Sequence, residues 1–392
     1  MSFFDLHSDA KIPRDGVKKH TVTAIPSEGG ATTGLIRFRW TSSQNHWFVP
    51  HLSYVLYEFA ISKTGGLVQE ADNLIISNFP GASASSGGPT TLTLNGTNIT
   101  TITNPAVTQA FYTRLYGAKD TRDSILHPLV SGLVAGDNST LTCAYQPPSG
   151  FFQSDVSLPN GSYVLGINLS NNYINSMVYN RNVADQGANI PGLSITLTKA
   201  TFMAVHVEPS GTPAIPRTVT VPLVDISTNN QSVTSNGTHA LSFSIPASTK
   251  RVLVASQHLN PAAAGANGST VLTGAAFETI SGQFKGQSIP QTPYDNSNES
   301  MIRKYWDFYN EQLSSGRSVF DTIFQYQAEP IIMLPFASDP NNLDTNLVLR
   351  TQMQAGTTNS LVFVGTIHDS ALICNFDASG SMMESCTYAV LS

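Results

Sequence analysis

Residues 298–313 read Asn-Glu-Ser-Met-Ile-Arg-Lys-Tyr-Trp-Asp-Phe-Tyr-Asn-Glu-Gln-Leu, one of few helix-like stretches in a sequence that otherwise resembles β-strands. Apolar and aromatic residues recur here at helical spacing, which predicts an amphipathic helix. An Asn or Ser near its start offers an N-cap, and Gly316 is a plausible stop. The apolar face consists of Ile302, Tyr305, Trp306, Tyr309 and Leu313. We expect this face to pack against the rest of the protein or a subunit interface.

A similar helix-like stretch lies half a chain earlier, at residues 104–117. Asn104 offers an N-cap, Pro105 suits the first helical turn, and Gly117 is a stop signal. The strand-like stretches that follow each helix match in order, at 139–145 and 162–170 in the first half and at 329–336 and 346–354 in the second. This spacing predicts two similar β units in tandem.

Alternating apolar and polar residues predict about eight strands in each half, without a strand–helix–strand rhythm. Asn95-Gly96 separates two alternating runs and is a hairpin signal, because type I′ turns need positive φ at both central residues. A further helix is expected at about 122–134. The fold class predicted from these patterns is all-β, with two tandem eight-stranded antiparallel jelly rolls, each carrying a helical insertion late in the unit.

The best linker in the sequence, Pro209-Ser-Gly-Thr-Pro-Ala-Ile-Pro, divides the chain into nearly equal halves. Prolines and glycines interrupt every period in the first thirty residues, so we expect an arm there that is ordered, if at all, by contact with something else. The predicted organisation is an N-terminal arm at 1–30, a first jelly roll at 31–209 and a second at 210–392.

Charged residues make up 12% of the 392 residues, compared with about 25% in an ordinary globular protein. A polar surface with few charges suits broad subunit contacts, although secreted β proteins share this composition. The net charge is −6 and the basic residues are scattered, which argues against direct nucleic-acid binding because neutralising a genome takes many phosphate contacts. With no signal-peptide pattern and no long apolar run, we expect a soluble protein without a transmembrane segment.

The three cysteines, Cys143, Cys374 and Cys386, are odd in number and fit no metal spacing. Buried thiols in a reducing compartment are expected, with a Cys374–Cys386 bridge as the alternative. Nine Asn-x-Ser/Thr triplets occur, including those at Asn95, Asn98, Asn138, Asn160, Asn168 and Asn236. We interpret them first as loop and strand residues and only second as glycan sites.

Motifs of nucleophilic, metal-dependent and nucleotide-dependent enzymes are missing from the sequence. His46 and His51 flank the aromatic residues Trp47 and Phe48, but histidines at a strand edge are the simpler interpretation. Other weak candidates are two possible ligand pairs, His206 with Glu208 and His368 with Asp369, and three unpaired carboxylates, Asp155, Asp321 and Glu329. Trp306 and its neighbouring tyrosines could stack on sugars, but helical spacing favours a core or interface role. We therefore predict no catalytic, cofactor-binding or metal site, and no enzyme.

The chain resembles double jelly-roll major capsid proteins of tailless icosahedral DNA viruses, such as virophages and polinton-like viruses. The resemblance covers most of residues 31–392. It rests on the tandem halves, their late helices and three stretches: Leu158-Pro-Asn-Gly-Ser-Tyr-Val-Leu-Gly-Ile-Asn-Leu, Phe243-Ser-Ile-Pro-Ala-Ser-Thr-Lys-Arg-Val-Leu-Val, and Tyr305-Trp-Asp-Phe-Tyr.

This resemblance implies a homotrimer in which six jelly rolls form a pseudo-hexagonal capsomer that tiles an icosahedral shell. The implied partners are copies of the chain and of neighbouring capsomers, with vertex (penton) and minor capsid proteins beside them. The implied location is the virion capsid, assembled inside the host cell. Two alternatives remain: a β-sandwich carbohydrate-binding or glycoside-active surface protein, and an RNA-virus shell protein with one jelly roll, which would be expected to carry a basic N-terminal arm.

Overall fold

The structure is a computed structural model that describes residues 17–63, 74–76, 88–116, 139–154, 156–169, 178–180, 193–209, 215–246, 248–258, 277–314, 322–328, 330–336, 345–354, 360–380 and 382–390. The predicted helix at 122–134 lies outside these residues.

The first half of the chain contains eleven of the described strands. They are β1 (Val17–Pro26), β2 (Leu35–Thr41), β3 (Trp47–Phe48), β4 (Tyr54–Lys63), β5 (Leu74–Ile76), β6 (Thr90–Leu94), β7 (Thr97–Ile102), β8 (Ser139–Tyr145), β9 (Ser162–Asn168), β10 (Val178–Asn180) and β11 (Leu193–Pro209). Its described helices are α1 (Pro105–Tyr116) and the single turn α2 (Gly150–Gln153), with 3₁₀ turns at Glu28–Gly30 and Pro50–Leu52.

The second half follows the same plan. Its strands are β12 (Thr218–Val233), β13 (Gly237–Ser244), β14 (Thr249–His258), β15 (Phe277–Phe284), β16 (Gln287–Tyr294), β17 (Ile332–Leu334), β18 (Asn346–Met353), β19 (Ser360–Phe376) and β20 (Met383–Val390). Its described helices are α3 (Asn298–Ser314) and α4 (Ile323–Ala328).

Strand order shows that each half is a jelly roll. The first half forms one sheet in the order β1-β11-β4-β8 and another in the order β2-β9-β6-β7, with β3 paired to β11. The second half forms β12-β19-β14-β17 and β13-β18-β15-β16, with β20 paired to β19. Counting the eight principal strands of each half from one to eight, both halves have the orders 1-8-3-6 and 2-7-4-5. The predicted fold class is therefore confirmed, including a helical insertion between the fifth and sixth strands of each unit: α1 in the first, and α3 and α4 in the second.

Local sequence accounts for the strands and their turns. In β2, Ile36, Phe38 and Trp40 point into the core while the residues between them are exposed, as a period of two requires. The predicted hairpin joins β6 to β7: Asn95 has φ 49° and Gly96 has φ 80°, the positive values that a type I′ turn needs.

The arm prediction is wrong for residues 17–26. This segment is β1, the edge strand of the first jelly roll, and it pairs antiparallel with β11 from Val17↔Pro209 to Pro26↔Thr201. The sequence does contain a signal for it, because Gly16 and Pro26 bound a run rich in β-branched residues. The remainder of the predicted arm, up to residue 16, lies outside the described residues.

Two other elements, β19 and β16, differ from what the sequence predicts. The sequence predicts separate strands at about 361–367 and 371–376, but in the structure both belong to one continuous strand, β19. Strand β16 was not predicted because it contains Pro290 and Pro293, which disfavour a strand. It is an edge strand, where a missing N–H leaves no ladder partner unpaired.

The core of the first jelly roll is completed by residues of the second half. Within it, Trp40 lies against Phe202 with ring centroids 4.3 Å apart and stacks on Tyr163 at 5.2 Å. The second-half residues buried in the same cluster are Val219, Val221 and Leu223 of β12, Leu372, Cys374 and Phe376 of β19, and Met383 and Cys386 of β20. The two jelly rolls thus share buried surface, and the division at residues 209/210 stays a prediction about folding units.

Candidate assembly surfaces

Helix α1 of the first jelly roll lies on the outer face of the β12-β19-β14-β17 sheet of the second. Val107, Phe111 and Leu115 form one buried apolar face of this helix. Gly365 of β19 makes room for it: a Cβ built on Gly365 would lie 2.7 Å from Cε2 of Phe111, closer than carbon atoms can approach. The ring of Phe111 therefore occupies a depression that only glycine provides.

Hydrogen bonds fix the start of α1 to β12. Thr103 Oγ1 and Asn104 Nδ2 both donate to Thr228 O, at 2.8 and 3.2 Å, and the Thr108 and Thr228 hydroxyls lie 3.0 Å apart. Pro105 occupies the first helical position, as predicted. The Asn104 side chain was expected to cap the helix, but in the structure it bonds to the second jelly roll.

A buried carboxylate joins three parts of the chain close to this helix. Asp225 of β12 accepts hydrogen bonds from Gly150 N–H at 2.7 Å, Ser370 Oγ at 2.5 Å and Tyr388 O–H at 2.9 Å. Burial, followed by the charge of Asp225, raises the pKa of Tyr388, so the phenol stays a proton donor. This cluster connects α2 of the first jelly roll to β12, β19 and β20.

Helix α3 begins at a side-chain cap and buries a largely polar face. Ser297 Oγ accepts a hydrogen bond from Ser300 N–H at 3.2 Å, which agrees with the predicted serine or asparagine cap. Ser300, Lys304, Phe308 and Gln312 follow at four-residue intervals and are all buried. Phe308 is the fully buried apolar side chain of this face, and Met301 and Tyr305 pack beside it at the edge of the cluster.

The polar side chains of that face satisfy backbone carbonyls. Lys304 Nζ donates to Asp295 O at 2.7 Å, and Gln312 Nε2 donates to Arg114 O of α1 at 2.7 Å. Burial lowers the pKa of Lys304, and the Asp295 carboxylate partly opposes this change. Because such carbonyls must be paired when buried, these polar residues fix the orientation of the helix.

The structure divides the predicted apolar face of α3: Tyr305 packs against the protein's own buried cluster beside Tyr326, and the rest of the face points outward. Ile302, Trp306 and Leu313 are 56%, 57% and 45% exposed, while Tyr309 is half-buried and stacks on Trp306 with ring centroids 5.8 Å apart. We call Ile302, Trp306, Tyr309 and Leu313 the α3 stripe. The interface role that the sequence analysis allowed for Trp306 remains open to this stripe.

A second apolar surface lies on the outer face of the β1-β11-β4 sheet in the first jelly roll. The register places Val22 beside Val205, and Ala24 and Tyr54 on either side of Met203. Val22 is 54% exposed and Ala24 is exposed. Tyr54, Leu56 and Met203 are half-buried. We call Val22, Ala24, Tyr54, Leu56 and Met203 the β1 face. No sequence motif marked it, because strand alternation predicts two faces without saying what covers the outer one.

Two of the histidine candidates, His206 and His368, are buried. Between His46 and His51, Trp47 and Phe48 are buried in hydrophobic clusters. His206 is buried with its ring centroid 5.9 Å from that of Phe48. His368 and Asp369 are adjacent on a strand and point to opposite faces. His368 is buried, whereas Asp369 forms an ion pair with Lys250 at 2.6 Å.

Across the described part of the chain, no three His, Cys, Asp or Glu side chains group closely enough to hold a metal ion. Asp155, Asp321 and Glu329 lie outside the described residues. Among the helices that are described, none combines the length and apolar character needed to cross a membrane.

Cys374 and Cys386 are free buried thiols on neighbouring strands, with their sulfur atoms 3.8 Å apart. The contact with Cys386, together with burial, raises the pKa of Cys374 and keeps it protonated. Reduced thiols were the expected state. Three sequon asparagines are hydrogen-bonded through their side-chain amides: Asn95 to Met383 O, Asn98 to Thr101 Oγ1 and Asn160 to Gly380 O.

No protein-family model matches this sequence, and comparison with the curated proteins finds no match. Comparison with solved structures does find similar folds. The chain is similar to one in the cryo-EM structure of the Sputnik virophage, with a TM-score of 0.64 and 13% sequence identity over 97% of this chain and 90% of that one.

The chain is also similar to two major capsid proteins over nearly its whole length. The mavirus major capsid protein has a TM-score of 0.55 and 11% identity, covering 97% of this chain and 91% of that one. The Faustovirus major capsid protein has a TM-score of 0.56 and 8% identity, covering 100% and 94%. These identities are low, so the likeness concerns the fold. The chain has the double jelly-roll fold found in the mavirus and Faustovirus major capsid proteins, as the resemblance in its sequence implied.

Proposed function

We propose that this protein is the major capsid protein of a tailless icosahedral DNA virus and acts by self-assembly, without catalysis. Three copies form a capsomer in which six jelly rolls create a pseudo-hexagonal outline. The observation that carries this proposal is the pair of jelly rolls with one strand order, matching capsid proteins over nearly their whole length. A duplicated unit supplies six similar blocks from three chains.

Surface chemistry supports assembly. Only 12% of the residues are charged, and the α3 stripe and the β1 face expose apolar side chains that a subunit contact would cover. The net charge of −6 favours a shell that does not bind the genome directly. The proposed partners are copies of this chain, neighbouring capsomers, and vertex and minor capsid proteins in the virion.

A carbohydrate-binding protein is the less favoured alternative. Its support is the exposed Trp306, whose ring could stack on a sugar. Sugar sites also need polar groups converging on a cleft, whereas Trp306 lies on the surface of one helix beside Ile302 and Leu313.

The test is the mass and shape of the purified full-length protein. Light scattering coupled to size exclusion is expected to give three times the chain mass of 42.0 kDa, and negative-stain images are expected to show hexagonal outlines or shells. A stable monomer that binds glycans on an array would overturn the proposal.

A further inference from the structure

The α3 stripe is an exposed apolar row on a helix that already buries its opposite side. Ile302, Trp306, Tyr309 and Leu313 lie within about 60° of one another around the helix axis, given 100° per residue. Trp306 exposes more than half of its surface and is stacked on Tyr309, so an ordered aromatic pair faces outward. Aromatic residues of this kind are enriched at the centres of protein interfaces.

The fold already contains one example of how such a helix is covered. Helix α1, the counterpart of α3 in the first unit, places Phe111 over Gly365, with Ile226 and Ile367 in the same buried cluster. The contact joins a helix of the first jelly roll to the outer face of the first, eighth and third strands of the second. It is head-to-tail, since two different surfaces meet.

The corresponding outer face of the first jelly roll is the β1 face. Strands β1, β11 and β4 hold the same places in their sheet that β12, β19 and β14 hold in the other. In the second jelly roll, Ile226, Leu253 and Phe363 of these strands are buried beneath the helices. In the first, Val22 and Ala24 are exposed.

We propose that the α3 stripe of one copy covers the β1 face of a second copy, repeating between chains the helix-on-sheet contact that α1 makes within the chain. The occupant is a second copy because one chain carries both surfaces, and Ile302, Trp306 and Leu313 of the first and Val22 and Ala24 of the second are exposed in it. This inference rests on the proposed function, since head-to-tail contacts either close into a ring or continue as a filament, and a trimer is the closed form.

Cross-linking tests the pairing of the two surfaces directly. Ile302→Cys and Ala24→Cys are placed in separate chains with different affinity tags, co-expressed, and treated with a short bis-maleimide. We expect a cross-link between the two tags, and none when either variant is expressed alone. The matched control pairs Ile302→Cys with Glu384→Cys, an exposed position on β20, and is expected to stay uncross-linked.

Trp306→Glu tests whether the stripe holds copies together. Because Trp306 is exposed in the single chain, Trp306→Glu is expected to keep the circular dichroism spectrum of the folded wild-type protein. Its mass by light scattering is expected to fall threefold. Asn296→Glu, an exposed site just before α3, adds the same charge and is expected to leave the mass unchanged.

The outcomes separate the two proposals. A wild-type protein that is monomeric overturns the proposed function. Wild-type trimers that persist in Trp306→Glu, or trimers without a cross-link between residues 302 and 24, overturn this inference and leave the proposed function standing. A cross-link from Ile302→Cys to itself also overturns it, because that product requires a symmetric helix-to-helix contact.

Discussion

Asp225 is a buried carboxylate whose hydrogen-bond donors come from three separate elements: α2, β19 and β20. Gly150, one of the donors, approaches so closely that an added Cβ would lie 2.8 Å from Val224 O. A buried donor left without a partner costs about 1–3 kcal/mol. Asp225 therefore stabilises the junction by accepting these hydrogen bonds rather than through apolar contact. Lys304 and Gln312 act in the same way beneath α3.

His206 is expected to make the protein less stable at mildly acidic pH. Burial lowers its pKa below the usual 6.5, helped by the nearby His46 and opposed by hydrogen bonds to the backbone of Thr41 and Ala204. Between the lowered pKa and 6.5, the unfolded chain binds a proton that the folded protein does not. The free energy of unfolding therefore falls as pH drops through this window.

Urea unfolding at pH 7.5 and 5.5 measures this effect in wild type and in His206→Gln, which cannot take up the proton. The variant is expected to lose less stability between the two pH values than wild type does. Thr238→Ala, a change at an exposed position on β13 that removes no titratable group, serves as the control and should keep the wild-type pH dependence. Equal pH dependence in His206→Gln and wild type would contradict the prediction.

Among the elements, α1 and α3 show two uses of one insertion. Both follow the fifth strand of their jelly roll, and both lie near the outer face of the same sheet. Helix α1 turns its apolar side inward onto β19, whereas α3 buries Ser300, Lys304 and Gln312 beside Phe308 and leaves Ile302, Trp306 and Leu313 exposed. Helix α1 packs on the sheet of the other jelly roll, whereas α3 packs beside α1 on the sheet of its own unit.

Gly365→Ala is expected to destabilise the contact between α1 and β19. The new methyl group would meet the Phe111 ring, which is fully buried and cannot move aside, and overpacking of this kind costs about 1–3 kcal/mol. The measurement is the urea-unfolding free energy. In a Phe111→Leu background, Gly365→Ala should lower the free energy of unfolding by less than it does in wild type. Equal losses in the two backgrounds would contradict the proposed collision.

At the scale of the whole molecule, the two jelly rolls share one cluster of buried apolar side chains. The first core includes side chains from β12, β19 and β20, so neither jelly roll can unfold without exposing apolar surface of the other. Removing a fully buried large apolar side chain costs about 2–5 kcal/mol. The long strands β12 and β19, at 16 and 17 residues, reach from one core to the other.

Met383→Ala is expected to destabilise the first jelly roll although the residue lies in the second half of the sequence. Trp40 and Trp47 report on the first unit once Trp306 is replaced by Phe. Their fluorescence transition should move to lower urea, by about 2–5 kcal/mol in unfolding free energy, together with the circular dichroism transition. Glu384→Ala, at the exposed neighbouring position, is the control. An unchanged fluorescence midpoint would show that the first unit is independent of β20.

Period-two alternation, the Asn95-Gly96 turn and the two helix signals were enough to predict a duplicated jelly roll, because backbone geometry links these short patterns directly to strands, turns and helices. These patterns did not predict which side of α3 faces the protein. A helical stripe such as Ile302, Trp306 and Leu313 shows that an apolar face needs covering, but burial depends on neighbours distant in sequence. Those neighbours also explain why Gly365 faces Phe111 and why β20 closes the first core: each contact joins residues that only the three-dimensional arrangement of the two jelly rolls brings together.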